Sequence, residues 1–325
     1  MEKVRWGIIG CGAVTEVKSG PALNKIEDSQ LVAVMRRDAD KAKDYARRHN
    51  VPKWYDDADA LINDLDVNAV YIATPPSSHA EYTIKAAQAH KPVYVEKPMA
   101  MNYPQCIDMI NACEQAQVPL FVAYYRRCLP DFLKVRELVQ SGAVGEPRFL
   151  TIALYHPHKD DLQPGKLPWR VLPEVAGGGY FVDLASHQLD FLDYTFGPIV
   201  SVAGTAANQA RLYPAEDIVA AQLTFASGLL ATGVWCFTVP PNCRIDRTEI
   251  IGSKGKITFA SFDAAPVTLE TDKGIEHFSI PRPQHVQQPL LQTVVDELLG
   301  RGTCPSFGIS GARTTWVMDR ILAKK

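Results

Sequence analysis

Asp183, His187 and Asp190 stand at spacing i, i+4 and i+7 behind Gly177-Gly178-Gly179, so a helix begun at Tyr180 carries all three on one stripe. A carboxylate one turn before a histidine can fix the ring's tautomer or hold a substrate hydroxyl while the imidazole moves a proton near neutral pH. The glycines before the helix let substrate or backbone come close to that stripe. No Glu or Cys cluster completes a metal site around it, so no metal is expected. A second candidate is Lys97, set between Glu96 and Pro98 just past an apolar run, Pro92 to Val95. An ammonium beside an oxidised nicotinamide has its pKa lowered, which suits a proton donor or acceptor.

A nicotinamide site is itself legible near the N-terminus. The apolar run that starts at Val4 turns sharply at Gly10-Cys11-Gly12 and continues as a helix from Ala13 and Val14. Two glycines so placed allow the tight turn and the approach of backbone to a pyrophosphate, and the helix offers free N–H groups to it. Thr15 occupies the third fingerprint position, where Gly or Ala is usual. At the end of the second strand, where an acidic residue would bind a ribose 2′-hydroxyl, the chain has Arg36 and Arg37 followed by Asp38. Guanidinium groups pair with a 2′-phosphate, which favours NADP(H), with NAD(H) as the second choice. On the alternative reading the two arginines are solvated and Asp38 caps the next helix.

The elements that must position these residues fall into two sets. Alternating strands and helices up to Ala123 predict a doubly wound parallel sheet, with the loop Thr74-Pro75-Pro76 at a strand's carboxyl end, where such sheets bind ligands. After Tyr124, strand-like runs joined by short turns predict a largely antiparallel sheet with helices on one side. The expected division is residues 1–123 and 124–325, with the C-terminal helix able to pack back on the first domain. At 325 residues, 46% hydrophobic and 22% charged, with a formal charge of −2, the chain has the composition of an ordinary globular protein. It lacks the basic stripe of a nucleic-acid or anionic-membrane binder. With no signal segment, no spanning run and seven scattered cysteines, a cytoplasmic protein with reduced thiols is expected.

Taken together, the chain resembles the Gfo/Idh/MocA family of oxidoreductases. The motifs that carry the resemblance are Gly7-Ile8-Ile9-Gly10-Cys11-Gly12, Ala73-Thr74-Pro75 with His79, Glu96-Lys97-Pro98, Arg126-Arg127 with Pro130, Trp169-Arg170, and the glycine run leading to Asp183, His187 and Asp190. The resemblance implies an α/β protein with an N-terminal Rossmann dinucleotide-binding domain. It also implies a C-terminal α/β domain with a large, mostly antiparallel open sheet through which a homodimer or homotetramer forms. It further implies that Lys97 holds the substrate oxygen, Asp183 a neighbouring hydroxyl, and His187 the role of principal acid/base. Trp169 and Arg170 would cover the nicotinamide, with Thr74, Pro75, Pro76, His79 and Glu96 lining the cofactor and Tyr155 and Tyr180 touching substrate. Tyr125 departs from the family pattern, in which Asn is common at that place.

The expected activity is reversible NADP(H)-dependent oxidation of a secondary alcohol on a sugar, cyclic polyol or related diol. The alternatives are a non-sugar substrate such as an aromatic dihydrodiol, and a non-catalytic sensor of the cofactor.

Overall fold

A computed structural model of the protein describes residues 1–158, 165 and 167–324. They divide into two compact units, Met1–Leu129 with Pro283–Ala312, and Pro130–Arg282 with Arg313–Lys325. The first unit thus takes in a late segment that a boundary at 123/124 leaves out.

The first unit runs β1 (Val4–Ile9), α1 (Ala13–Val17), α2 (Gly20–Leu23), β2 (Ser29–Met35), α3 (Ala39–Arg48), β3 (Lys53–Tyr55), α4 (Ala58–Ile62), β4 (Ala69–Ile72), α5 (His79–Gln88), β5 (Val93–Val95), α6 (Tyr103–Gln115) and β6 (Leu120–Val122). Its six strands are parallel, in the order β3-β2-β1-β4-β5-β6. β4 is buried at all four positions, as expected of a strand covered on both faces by helices. Helix starts follow local chemistry: Asp38 accepts the Lys41 N–H at 3.2 Å, Asp57 that of Ala60 at 2.9 Å, and Asn102 that of Gln105 at 3.0 Å.

The second unit opens with α7 (Pro130–Gln140) and β7 (Pro147–Tyr155), followed by the short α8 (Pro173–Ala176) and the long α9 (Tyr180–Phe196). Then come β8 (Ile199–Ala207), β9 (Ile218–Phe225), β10 (Leu230–Cys236), β11 (Ile245–Gly252), β12 (Gly255–Phe259), β13 (Val267–Thr271) and β14 (Gly274–Phe278). These form an eight-stranded sheet, β14-β13-β12-β11-β7-β10-β9-β8, antiparallel throughout except for the parallel pair β7–β10. Strands alternate: Val219, Ala221, Leu223 and Phe225 of β9 are buried, while Ala220 and Gln222 face out. The inner face receives α9, with Phe181 edge-on to Trp235 and Phe191 edge-on to Phe132 and Phe259.

Two further helices close the chain, α10 (Gln288–Leu298) in the first unit and α11 (Gly308–Ile321). No helix among the described residues is long and apolar enough to cross a membrane.

Candidate functional site

In the first unit the site is built around the end of β1. Gly10 has φ +91°, and a Cβ there would stand 2.7 Å from Thr74 Cγ2 and 2.9 Å from Thr74 N, so only glycine lets the β1 turn and the β4 exit loop pass so closely. The turn is stitched to β2 by Gly10 N–H and Cys11 N–H, both donating to Met35 O at 2.9 and 3.2 Å. Gly12 is the N-cap of α1, in extended backbone with no side-chain cap, and the space above its Cα is open. Those uncapped N–H groups of Ala13 and Val14 and the open approach fit a pyrophosphate. Half-buried Arg36 reaches the same turn, its Nη1 donating to Cys11 O at 3.4 Å, whereas Arg37 is exposed. Asp38 is occupied as the α3 cap and by an ion pair to Lys41 at 2.5 Å, its pKa lowered by those contacts. Cys11 is inert: burial pushes its thiol up to about 11. Thr15 is buried and donates to Gly12 O at 2.9 Å, closing the turn that a third glycine would have left looser.

The loops after β4 and β5 carry the other predicted residues of this unit. Ser78 Oγ donates to Thr74 Oγ1 at 2.8 Å, and Pro75 and Pro76 lead into α5. His79 is fully buried between the two loops, with Nε2 2.7 Å from Thr74 O and Nδ1 3.0 Å from Pro98 O; the neutral ring donates to one of these carbonyls. Glu96 is buried as well, its Oε1 accepting from Tyr71 OH at 2.7 Å and Gln287 Nε2 at 2.6 Å. Its carboxylate is thus spent on holding the strand end from which half-buried Lys97 projects.

One residue of this unit went unread in the sequence. Gln287, fully buried, bonds both Glu96 and Tyr94 OH (2.9 Å) and so anchors the lysine's loop from a segment nearly two hundred positions away. Tyr125 is also buried, with the Arg126 guanidinium 5.1 Å from its ring centroid. Burial pushes its phenol up, but Arg126, Lys18 and Lys97 outweigh that and draw it below the usual tyrosine range. Lys18 thereby joins Lys97 and Arg126 in a cationic group around one phenol. Arg127 belongs to the scaffold, donating to Pro305 O and, at 3.0 Å, to Ser310 Oγ.

In the second unit the α9 stripe divides by burial. Asp183, in the first turn, is partly exposed and pairs with Arg170, Nε to Oδ2 at 3.3 Å; the Arg170 guanidinium also lies 4.4 Å from the Trp169 ring centroid. Trp169, Arg170 and Asp183 therefore lie together. One turn on, His187 is 3% exposed and edge-on to Phe262 at 6.2 Å. Asp190, further along the stripe, is fully buried and accepts from Thr314 Oγ1 at 3.3 Å. Tyr180 is buried against Tyr213 and Phe237, and Tyr155 ends β7 half-buried. His156, the next residue, was not singled out in the sequence, yet its ring also lies edge-on to Phe262, at 6.5 Å. No group of three or more His, Cys, Asp or Glu among the described residues could hold a metal ion.

Comparison with known proteins fits this arrangement. Residues 4–124 match the model of an oxidoreductase family with an NAD-binding Rossmann fold, and residues 132–258 that of the GFO/IDH/MocA C-terminal domain. Over 320 residues the chain is 39% identical to Oxidoreductase P35 of Formosa agariphila, covering 98% of each. The chain belongs to the Gfo/Idh/MocA family of oxidoreductases. Another relative, the myo-inositol 2-dehydrogenase of Thermotoga maritima, is 29% identical over 83% of this chain and 79% of its own. Among solved structures, the aldose-aldose oxidoreductase of Caulobacter crescentus complexed with glycerol superposes with a TM-score of 0.86 at 27% identity, covering 98% and 96% of the two chains. As a Gfo/Idh/MocA oxidoreductase, the protein uses its first unit as an NAD-binding fold.

Proposed function

We propose that the protein is an NADP(H)-dependent dehydrogenase or reductase acting on a secondary alcohol, or the matching ketone, of a sugar, cyclic polyol or related diol. The observation that carries the reading is the position of Lys97: it stands two residues past the end of β5, where a doubly wound sheet takes its ligands, in the same unit as the Gly10 turn. Relatives named for inositol and aldose substrates support the polyol class, and Arg36 beside Cys11 O supports a cofactor with a 2′-phosphate.

The bound nicotinamide supplies the redox chemistry, taking or giving a hydride at the reacting carbon. Lys97 donates a hydrogen bond to the oxygen on that carbon and stabilises its negative charge as the proton leaves. His187 removes that proton in oxidation and returns it in reduction. Asp183, steadied by Arg170, accepts a hydrogen bond from a neighbouring hydroxyl and so sets which carbon reacts. The outer face of the second unit's sheet, where exposed Phe149 and Leu230 stand side by side in register, joins copies of the chain.

The test is a panel of sugars, anhydro-sugars, inositols and dihydrodiols followed by nicotinamide absorbance with both cofactors, with Lys97→Met as the control. Turnover of a polyol with NADP(H), lost by about a hundredfold or more in the variant while cofactor binding stays intact, is expected. Undiminished turnover in Lys97→Met refutes the assignment.

A further inference from the structure

The glycine run before α9 has a use within the protein that its sequence did not disclose. Gly177 ends α8 in the left-handed region, at φ +80°. Gly178 and Gly179 have ordinary φ, yet neither has room for a side chain: a Cβ on Gly179 would stand 2.8 Å from Ala215 Cβ and 2.9 Å from Glu216 O, and one on Gly178 would run into Val182 Cγ2 and stand 3.1 Å from Glu216 Oε1. What fills the space over Gly179 is the loop between β8 and β9. Its carboxylate at Glu216 accepts the Gly179 N–H at 2.8 Å, and Gly179 O in turn accepts the Asp183 N–H at 3.3 Å. Tyr213 of the same loop packs edge-on against Tyr180, the first residue of α9. The loop is itself pinned: Asp217 accepts from Gln209 N at 2.8 Å and Ala210 N at 2.7 Å, and Asn208 Nδ2 donates to Tyr213 O at 2.6 Å.

We infer that Glu216 is a positioning residue for the reaction, capping α9 from a distant loop and, through Gly179, fixing the turn that carries Asp183. α9 has no side-chain cap of its own, since its N-cap is Gly179; the N-cap N–H, which a Glu or Gln at the third helical position takes in a capping box, is here taken by Glu216 from another loop. What Glu216 supplies to the Gly179 N–H is a hydrogen-bond acceptor at 2.8 Å. A glutamine offers the same acceptor, and an alanine offers none.

This inference rests on the reading of Asp183 as a substrate ligand, and the experiment separates the two. Glu216→Ala, Glu216→Gln and Glu216→Asp are compared with the unaltered protein by amide hydrogen exchange at Asp183, by cofactor Kd and by kcat/KM for the best polyol of the panel. Glu216→Ala is expected to speed exchange at Asp183 and to lower kcat/KM by about tenfold to a hundredfold, with cofactor Kd unchanged and both effects reversed in Glu216→Gln. Should the alanine variant fail to fold, Glu216→Asp, which withdraws the acceptor by one methylene, is expected to show the same pair of changes in smaller measure. Unaltered exchange in the Ala and Asp variants overturns the inference, as does a Gln variant as impaired as Ala. Altered exchange with no polyol turned over by the unaltered protein leaves the cap standing and refutes the substrate class instead.

Discussion

Replacing Arg36 with alanine is expected to weaken NADPH binding by about 10- to 150-fold and to leave NADH binding within about threefold. The side chain follows β2 and is held half-buried at the Gly10–Gly12 turn, with Nη1 at 3.4 Å from Cys11 O. That contact is long for a hydrogen bond and contributes little to the turn, which is secured by the two N–H groups donating to Met35 O. The protein's own stability is therefore nearly unaffected, and the change falls on the ligand. A guanidinium paired with a phosphate is a charge-assisted hydrogen bond of about 1.5–3 kcal/mol, which corresponds to about 10- to 150-fold in Kd. Exposed Arg37 is screened by solvent, so its removal costs up to about fivefold. Isothermal titration of both cofactors at one fixed salt concentration reads these values, and raising the salt should shrink the Arg37 effect first. Equal losses for NADPH and NADH in Arg36→Ala, or an unaltered protein that prefers NADH, would refute the reasoning.

Three further outcomes are expected. Gly10→Ala places a Cβ against the Thr74 backbone at positive φ and should cost about 2–4 kcal/mol of stability; an unchanged urea midpoint speaks against the close packing of the two loops. Burial, opposed by the carbonyls of Thr74, Pro98 and Met99 and by Glu96, holds the His79 pKa below its ordinary 6.5. The unfolded chain then takes up the proton first, so stability is full above about pH 6.5 and declines as the pH falls towards the folded-state pKa. His79→Gln should flatten that slope in thermal melts, and a flat wild-type profile contradicts it. Finally, Phe149→Glu combined with Leu230→Glu should yield monomers by light scattering while the cofactor still binds; a wild-type monomer ends the proposal of self-association through the sheet.

The local parts of the fold were readable from sequence because local chemistry decides them. The Gly-x-Gly turn, the Asp38 cap and α9 from Tyr180 to Phe196 each depend on residues a few positions apart. What could not be read depends on pairs distant in the chain. Nothing around Gln287 announces that it joins Glu96 and Tyr94, and nothing around Glu216 marks it as the cap of α9. Spacing placed Asp190 on the stripe with Asp183 and His187, but its bond to Thr314, over a hundred positions away, has no local signal. The same holds for the approach of the His79 ring to Pro98 O.

The first unit is assembled from two pieces of chain, Met1–Leu129 and Pro283–Ala312. During synthesis at about 5–20 residues per second, roughly 150 residues separate the emergence of the two. For some 8–30 s the nascent nucleotide-binding half waits for its last strut: Tyr94 and Glu96 lack Gln287, and the Val122 carbonyl lacks the Ser306 hydroxyl. These contacts of the dinucleotide-binding unit thus form only once Pro283–Ala312 has been made.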